Sequence, residues 1–280
     1  MGKTRFPGVV GKVWTAAFLG LSAMAAPNEA SVEPVLPVHI SSAGDDTDPE
    51  QNPRHPYNWE QHDPDRPQPP VVDPGPYSGP QPPPSDATVL FDGTSFEHWN
   101  HERWELTDDG AMQVVPGEGD LTTRKTFGDV QLYIEFWCDP DSPGEGGNRS
   151  NSGVFFGPYE VQVLDSYENP IPADKINAGI YGQYPPLVNA SRPPGEWQTF
   201  NITYTAPRFD GEELIAPARI TVFHNGIAVQ INEPLVGPTT NSRRADYEPH
   251  GNVPISLQDH RDDPIKFRNI WVRELDPGTE

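Results

Sequence analysis

The chain has 280 residues, with 41 acidic and 19 basic side chains for a net charge of −22, and 35 of its residues are proline. So acidic a chain repels phosphate backbones and anionic headgroups, which argues against nucleic-acid or membrane-surface binding and leaves neutral sugars and cations as ligands. A single cysteine, Cys138, rules out an internal disulfide.

The first 25 residues place Lys3, Arg5 and Lys12 before or at the edge of an apolar stretch, Val13 to Ala25, that closes on Ala23-Met24-Ala25. This reads as a signal peptide over 1–25, too short for a membrane span, so no membrane insertion is expected and the product is secreted or periplasmic. Residues 26–86 hold 16 prolines in 61 positions and no apolar run. Their composition predicts a disordered proline-rich linker, read first as a passive spacer and second as one whose Pro82-Pro83-Pro84 docks on a cell-surface or enzyme partner. Gln51 to Gln68, with Tyr57 and Trp59, is its least linker-like part.

Residues 87–280 form the folded part, where 30 acidic and 14 basic residues give 14 − 30 = −16. Alternation and turn punctuation recur there at short spacing, with no helical stripe, so the domain is all-β. Strands are predicted over 88–91, 131–138, 153–156, 159–164, 199–204, 219–223, 227–231, 254–258 and 267–275. Asn225-Gly226 supplies the positive φ angles of a type I′ hairpin turn. About ten short strands without a repeat imply two packed sheets, and the excursion over 166–194 is long enough to be a binding loop.

The segment Glu160-Val161-Gln162-Val163-Leu164-Asp165 puts three polar groups along a strand. Strict alternation sends Glu160 and Gln162 to one face and Asp165 to the other, and a bulge near Val163 and Leu164 would bring all three together. The pattern resembles that of laminarinase-type and lichenase-type glucanases. In Ile255-Ser256-Leu257-Gln258-Asp259-His260 the parity places Gln258 and His260 opposite the apolar residues, so both can share the acidic groove. Glu135 lies on the non-core face of its strand between Tyr133 and Trp137, and Asn151 precedes a glycine-opened strand. Tyr181 and Trp197 are candidate platforms for a pyranose face. The parity of Arg268 with Ile270 suggests an ion pair between the sheets, near an edge.

Several blocks together resemble one family. They are Leu90-Phe91-Asp92-Gly93-Thr94 with Trp99, Asn151 to Phe156, Tyr159 to Asp165, Gly179-Ile180-Tyr181-Gly182, Gly195-Glu196-Trp197, Ile255 to His260, and Phe267 to Ile270. In order and spacing they are similar to the 3-keto-disaccharide hydrolase family, over residues 88–275. The resemblance implies a concanavalin A-like β-sandwich, or jelly roll, acting on glycosides oxidised to a ketone at carbon 3. The chain departs from the family pattern by an insertion between Thr205 and Ala218 and by Gln198 after the tryptophan.

Two routes fit these residues. In one, Glu160 and Asp165 flank the scissile bond at the roughly 5 Å spacing of a retaining carboxylate pair. In the other, a base removes the acidic C2 proton, an enolate forms, the group on C1 leaves, and water adds back; His260 is the first choice of base and Glu160 the second. The expected catalytic residues are Glu160, Asp165 and His260. Glu135, Asn151, Gln162, Tyr181, Trp197 and Gln258 are expected to contact substrate. The motifs name no definite cofactor, although Glu135, Glu160, Asp165 and His260 have the chemistry to hold a divalent cation such as calcium. The alternative reading is a secreted, non-catalytic carbohydrate-binding module.

Overall fold

The computed structural model describes Asn52, residues 54–261 and residues 263–275. The segment read as a signal peptide and most of the first half of the proline-rich stretch lie outside them.

The described residues form fourteen strands: β1 (Thr88–Phe91), β2 (Glu105–Leu106), β3 (Met112–Gln113), β4 (Leu121–Phe127), β5 (Val130–Trp137), β6 (Ser152–Phe156), β7 (Tyr159–Val163), β8 (Trp197–Thr205), β9 (Arg208–Asp210), β10 (Glu213–Ala216), β11 (Arg219–His224), β12 (Ile227–Pro234), β13 (Val253–Leu257) and β14 (Lys266–Glu274). A large antiparallel sheet runs β12-β11-β8-β5-β14-β3-β2, with β1 also paired to β14. A second sheet runs β4-β13-β6-β7. The two pack face to face as a β-sandwich, and Phe156 of the small sheet stacks on Tyr204 of the large one with ring centroids 4.7 Å apart.

Alternation explains which side chains meet. Leu132, Ile134 and Phe136 of β5, Phe200 and Ile202 of β8, Val161 and Val163 of β7, and Ile255 and Leu257 of β13 join one core cluster. Cys138, just past β5, is fully enclosed by it as the chain's only thiol. Asn225 and Gly226 take φ angles of 53° and 83°, so the β11–β12 hairpin turns as its sequence dictates. The insertion after Thr205 is a two-stranded hairpin, β9–β10. The strand β4 escapes a pattern search because Arg124-Lys125-Thr126 interrupts its alternation with three exposed residues.

The described part of the proline-rich stretch departs from the linker reading, because residues 54–86 are tied to the sandwich along their length. Arg54 meets Glu233, Gln68 Nε2 donates to Ile171 O at 2.9 Å, and Val72 N donates to Asn189 O at 3.0 Å. Farther along, Tyr77 reaches Glu135, Trp271 Nε1 donates to Gln81 O at 3.1 Å, and Arg273 pairs with Asp86 at 2.6 Å. Prolines leave the unfolded chain less entropy to lose, so a series of polar anchors suffices where no apolar run exists.

Candidate functional site

The outward face of the small sheet carries a groove of about 630 Å³. Cross-strand register builds its floor. Ser256 pairs with Phe155 and Phe155 with Glu160, which makes one row. Gly153 pairs with Gln162 and accepts Gln258 N at 3.1 Å, which makes the next. Because β7 alternates, Tyr159, Val161 and Val163 enter the core while Glu160 and Gln162 face the groove.

Glu160 is 5% exposed, and among the described residues its carboxyl oxygens have no hydrogen-bond partner. Burial, with a smaller push from the charge of Asp120, raises its pKa to about 8. Gln162 Nε2 donates to Asn151 Oδ1 at 3.0 Å, and its Oε1 stays buried without a donor. A buried acceptor left open beside a groove is suited to a ligand hydroxyl. Asn151 is thus both a lining residue and a brace.

On the far side His260 lines the groove, with Nδ1 3.6 Å from the buried carboxylate of Asp263. Asp263 is itself fixed by Ser142 Oγ at 3.0 Å. That carboxylate stands beyond hydrogen-bonding distance, and Nδ1 is buried without a partner among the described residues, so the ring is left open to a ligand. Tyr181 donates its hydroxyl to Asn241 Oδ1 at 2.8 Å. Burial, with the nearby Glu160 and Asp174 charges, raises the Tyr181 phenol to about 12. Gln258 completes the set at the end of β13.

Residues 86–273 match the family described as the 3-keto-alpha-glucoside-1,2-lyase-like domain. The chain belongs to this family. A crystal structure of a candidate glycosyl hydrolase from Parabacteroides distasonis ATCC 8503 is 41% identical to it, with a TM-score of 0.69, covering 75% of this chain and 93% of that one. Two further candidate glycosyl hydrolases from the same organism are 23% and 18% identical, each with a TM-score of 0.48 and covering 68% of this chain, and 99% and 94% of their own. No curated protein matches. The chain is therefore a glycosyl hydrolase-like, carbohydrate-active member of the lyase-like family.

In this family member six of the nine expected residues line one groove: Glu160, His260, Asn151, Gln162, Tyr181 and Gln258. Three lie elsewhere. No bulge forms in β7, whose register with β6 is regular to Val163. The strand ends there because Leu164 N turns to Asn177 Oδ1 and Asp165 N to Arg149 O. Asp165 is consequently buried in an ion pair with Arg149 at 2.8 Å, behind the floor. Burial raises its pKa in spite of that arginine.

Glu135 sits on the outer face of the other sheet, fully buried, where it accepts from both Tyr77 and Tyr133 hydroxyls and pairs with Arg268 at 2.8 Å. Trp197 is on that same sheet under Arg268, whose guanidinium carbon lies 3.7 Å from the indole centroid. The Arg268 ion pair exists, but outside the sandwich rather than between its sheets, because a register shift between Arg268 and Trp271, with Asn269 at φ 47°, breaks the parity with Ile270. With Glu135 and Asp165 elsewhere, the four residues considered for a divalent cation do not converge. Among the described residues no cluster of three or more metal-ligating side chains occurs.

Sequence reasoning missed Gly147, Asn148, Phe155, Lys175, Arg261 and Thr239 to Asn241, which complete the lining. Phe155 was legible from its parity with Gly153, and it offers the aromatic face that Trp197 does not. Lys175 lies in the long excursion, where length alone marked a binding loop.

Gly153 shows how tightly the floor is built. A Cβ there would stand 2.7 Å from both Glu160 Oε1 and Phe155 Cε2. Gly153→Ala is expected to push the carboxyl and the ring aside, destabilising the domain by about 1–3 kcal/mol. It should also lower kcat/KM by about tenfold or more. Denaturant titration and steady-state kinetics on the one variant check both.

Proposed function

We propose that this protein is an exported enzyme that cleaves 3-keto glycosides by elimination across C1 and C2. The observation that carries the reading is the carboxyl of Glu160, without a hydrogen-bond partner among the described residues and raised to about 8, in the same groove as the imidazole of His260. A ketone at C3 acidifies the hydrogen on C2. The His260 imidazole takes that proton, and the C2–H electron pair becomes the enolate. Lys175 supplies positive charge at the enolate oxygen. The enolate then collapses, forming the C1–C2 double bond and breaking the bond from C1 to the glycosidic oxygen.

Glu160 is mostly protonated at neutral pH and gives its proton to the departing oxygen. The products are the free aglycone and a 1,2-unsaturated 3-keto sugar. Addition of water across that bond, with Glu160 now as base and His260 as acid, gives net hydrolysis. Tyr181 and Phe155 would cover the sugar's C–H faces, while Gln162, Asn151 and Gln258 would bind hydroxyls. The family description names a 1,2-lyase, which agrees with the elimination half.

A two-carboxylate hydrolysis is disfavoured because Asp165, the second carboxylate of that route, lies behind the groove. A non-catalytic sugar-binding module would explain the amides but has no need of a carboxyl kept protonated at neutral pH. Export rests on the N-terminal sequence pattern, and N-terminal sequencing of the protein recovered from its producing cell tests it.

The chemistry is tested by incubating the protein with a 3-keto glucoside in deuterated water. Deuterium at C2 of the recovered sugar and release of aglycone are expected, and His260→Asn should slow both by about 10²–10⁴-fold. Aglycone release without C2 exchange would sink elimination and favour direct hydrolysis.

A further inference from the structure

One wall of the groove is held by residues that precede the family domain. Residues 86–273 are the matched span, yet Gln61 Nε2 donates to the carbonyl of Thr240, and His62 bonds to both loops that rim the groove. The His62 amide and Nδ1 meet the two carboxylate oxygens of Asp174 at 2.9 and 3.2 Å, and Nε2 faces Asn241 O at 3.2 Å. The His62 ring stands edge-on to Tyr181 with centroids 5.0 Å apart. Arg66 Nη1 donates to Gln183 O at 2.9 Å, and Arg244 Nη2 donates to both Trp59 O and Gly182 O at 3.2 and 3.4 Å. The approach is so close that a Cβ on Gly182, at φ +69°, would lie 2.3 Å from Gln61 Nε2.

We infer that residues 59–66 brace one wall of the sugar groove from behind and that His62 is the positioning residue that sets Tyr181 and Asn241 against the substrate. The inference rests on reading this groove as the site. Lys175 and Tyr181 belong to one loop and Thr239, Thr240 and Asn241 to another, and among the described residues these lining groups are joined by the Tyr181 to Asn241 side-chain bond. His62 bridges the same two loops from behind. Its two ring nitrogens each face an acceptor, one on either loop.

The charged groups around it are Asp174, Arg66 at 3.8 Å from Asp174, Lys175 over the Tyr181 ring at 5.8 Å, and Arg244. Burial opposes the charge of Asp174, but the hydrogen bonds and charge from His62, with Arg66, prevail and hold its carboxyl below the ordinary value. His62 itself adopts φ 63°, a left-handed backbone that a non-glycine residue keeps only where its surroundings impose it.

The test uses the full chain with His62→Phe, which keeps the ring against Tyr181 but removes both ring bonds, and His62→Gln, which restores a donor. The expected result for His62→Phe is a KM for the 3-keto glucoside raised about tenfold with kcat within about twofold, and for His62→Gln a recovery of much of that loss. Hydrogen exchange should quicken at residues 174–184 and 239–241 and stay unchanged in the large sheet. An unaltered KM in His62→Phe, or faster exchange spread evenly over the domain, would overturn the inference. A wild-type chain that fails to turn over the ketoglycoside sinks the proposed function instead. The exchange pattern then decides the wall: protection lost only in the two loops supports it, and unchanged protection overturns it.

Discussion

Glu160→Gln is expected to cut turnover of a 3-keto glycoside by about 10²–10⁴-fold while making the protein more stable at alkaline pH. Both effects have one cause. The folded carboxyl sits at about 8 against an ordinary 4.5, because burial penalises its charged form. Below pH 4.5 it is protonated whether folded or unfolded, and it contributes nothing to the pH dependence. Between 4.5 and about 8 only the unfolded state releases the proton, so stability falls as pH rises, and above 8 the full cost is present. That cost is on the order of 4–5 kcal/mol, and glutamine removes it.

Urea midpoints for wild type and variant should therefore coincide near pH 4 and diverge by pH 8.5, with the variant the more resistant. In wild type, kcat should decline as pH rises through about 8, where the acid that protonates the leaving oxygen is lost. Coincident urea midpoints at both pH values would mean that Glu160 is solvated and ionised in the folded protein, and the acid role would go with it.

Glu135→Ala should show the converse, a large loss of stability with the chemistry intact. Its carboxylate is fully buried among Tyr77, Tyr133 and Arg268, and removing it strands two hydroxyls and a guanidinium. Breaking such a pair from one side costs about 3–5 kcal/mol. For a domain of this size that lowers Tm by roughly 6–20 °C. Since Glu135 is on the sheet facing away from the groove, KM and kcat measured well below the new Tm should stay within about twofold of wild type. A marked rise in KM at unchanged fold would instead place a sugar contact on the outer face of the large sheet.

The contrast between these two glutamates marks what was legible in the sequence. Alternation assigned the face of each correctly: Glu160 and Gln162 away from Val161, Glu135 away from Ile134. Alternation is a local property and carries no information on which sheet overlies which loop, so Glu135 and Trp197 were drawn toward a groove that forms on the other sheet. Asp165 illustrates a second limit. Where β7 ends is decided by Asn177 and Arg149, residues 13 and 16 positions away that take over the backbone donors of Leu164 and Asp165.

The wall at 59–66 illustrates a third. Its composition is that of a chain too polar to fold alone, which is accurate for the isolated segment. In the folded protein it is held by contacts with the excursion after β7 and the loop after β12. His62 had no local neighbour to distinguish it from the other histidines of the proline-rich stretch.

The enclosure of Cys138 has a practical consequence. With its sulfur at 0% exposure and burial pushing the thiol well above its ordinary pKa, a disulfide or alkylating reagent finds no nucleophile on the intact molecule. Modification must wait for the sandwich to part, so the labelling rate under native conditions reports how often the two sheets separate. No engineered probe is needed for that measurement, since the sequence supplies one thiol and hides it between the layers.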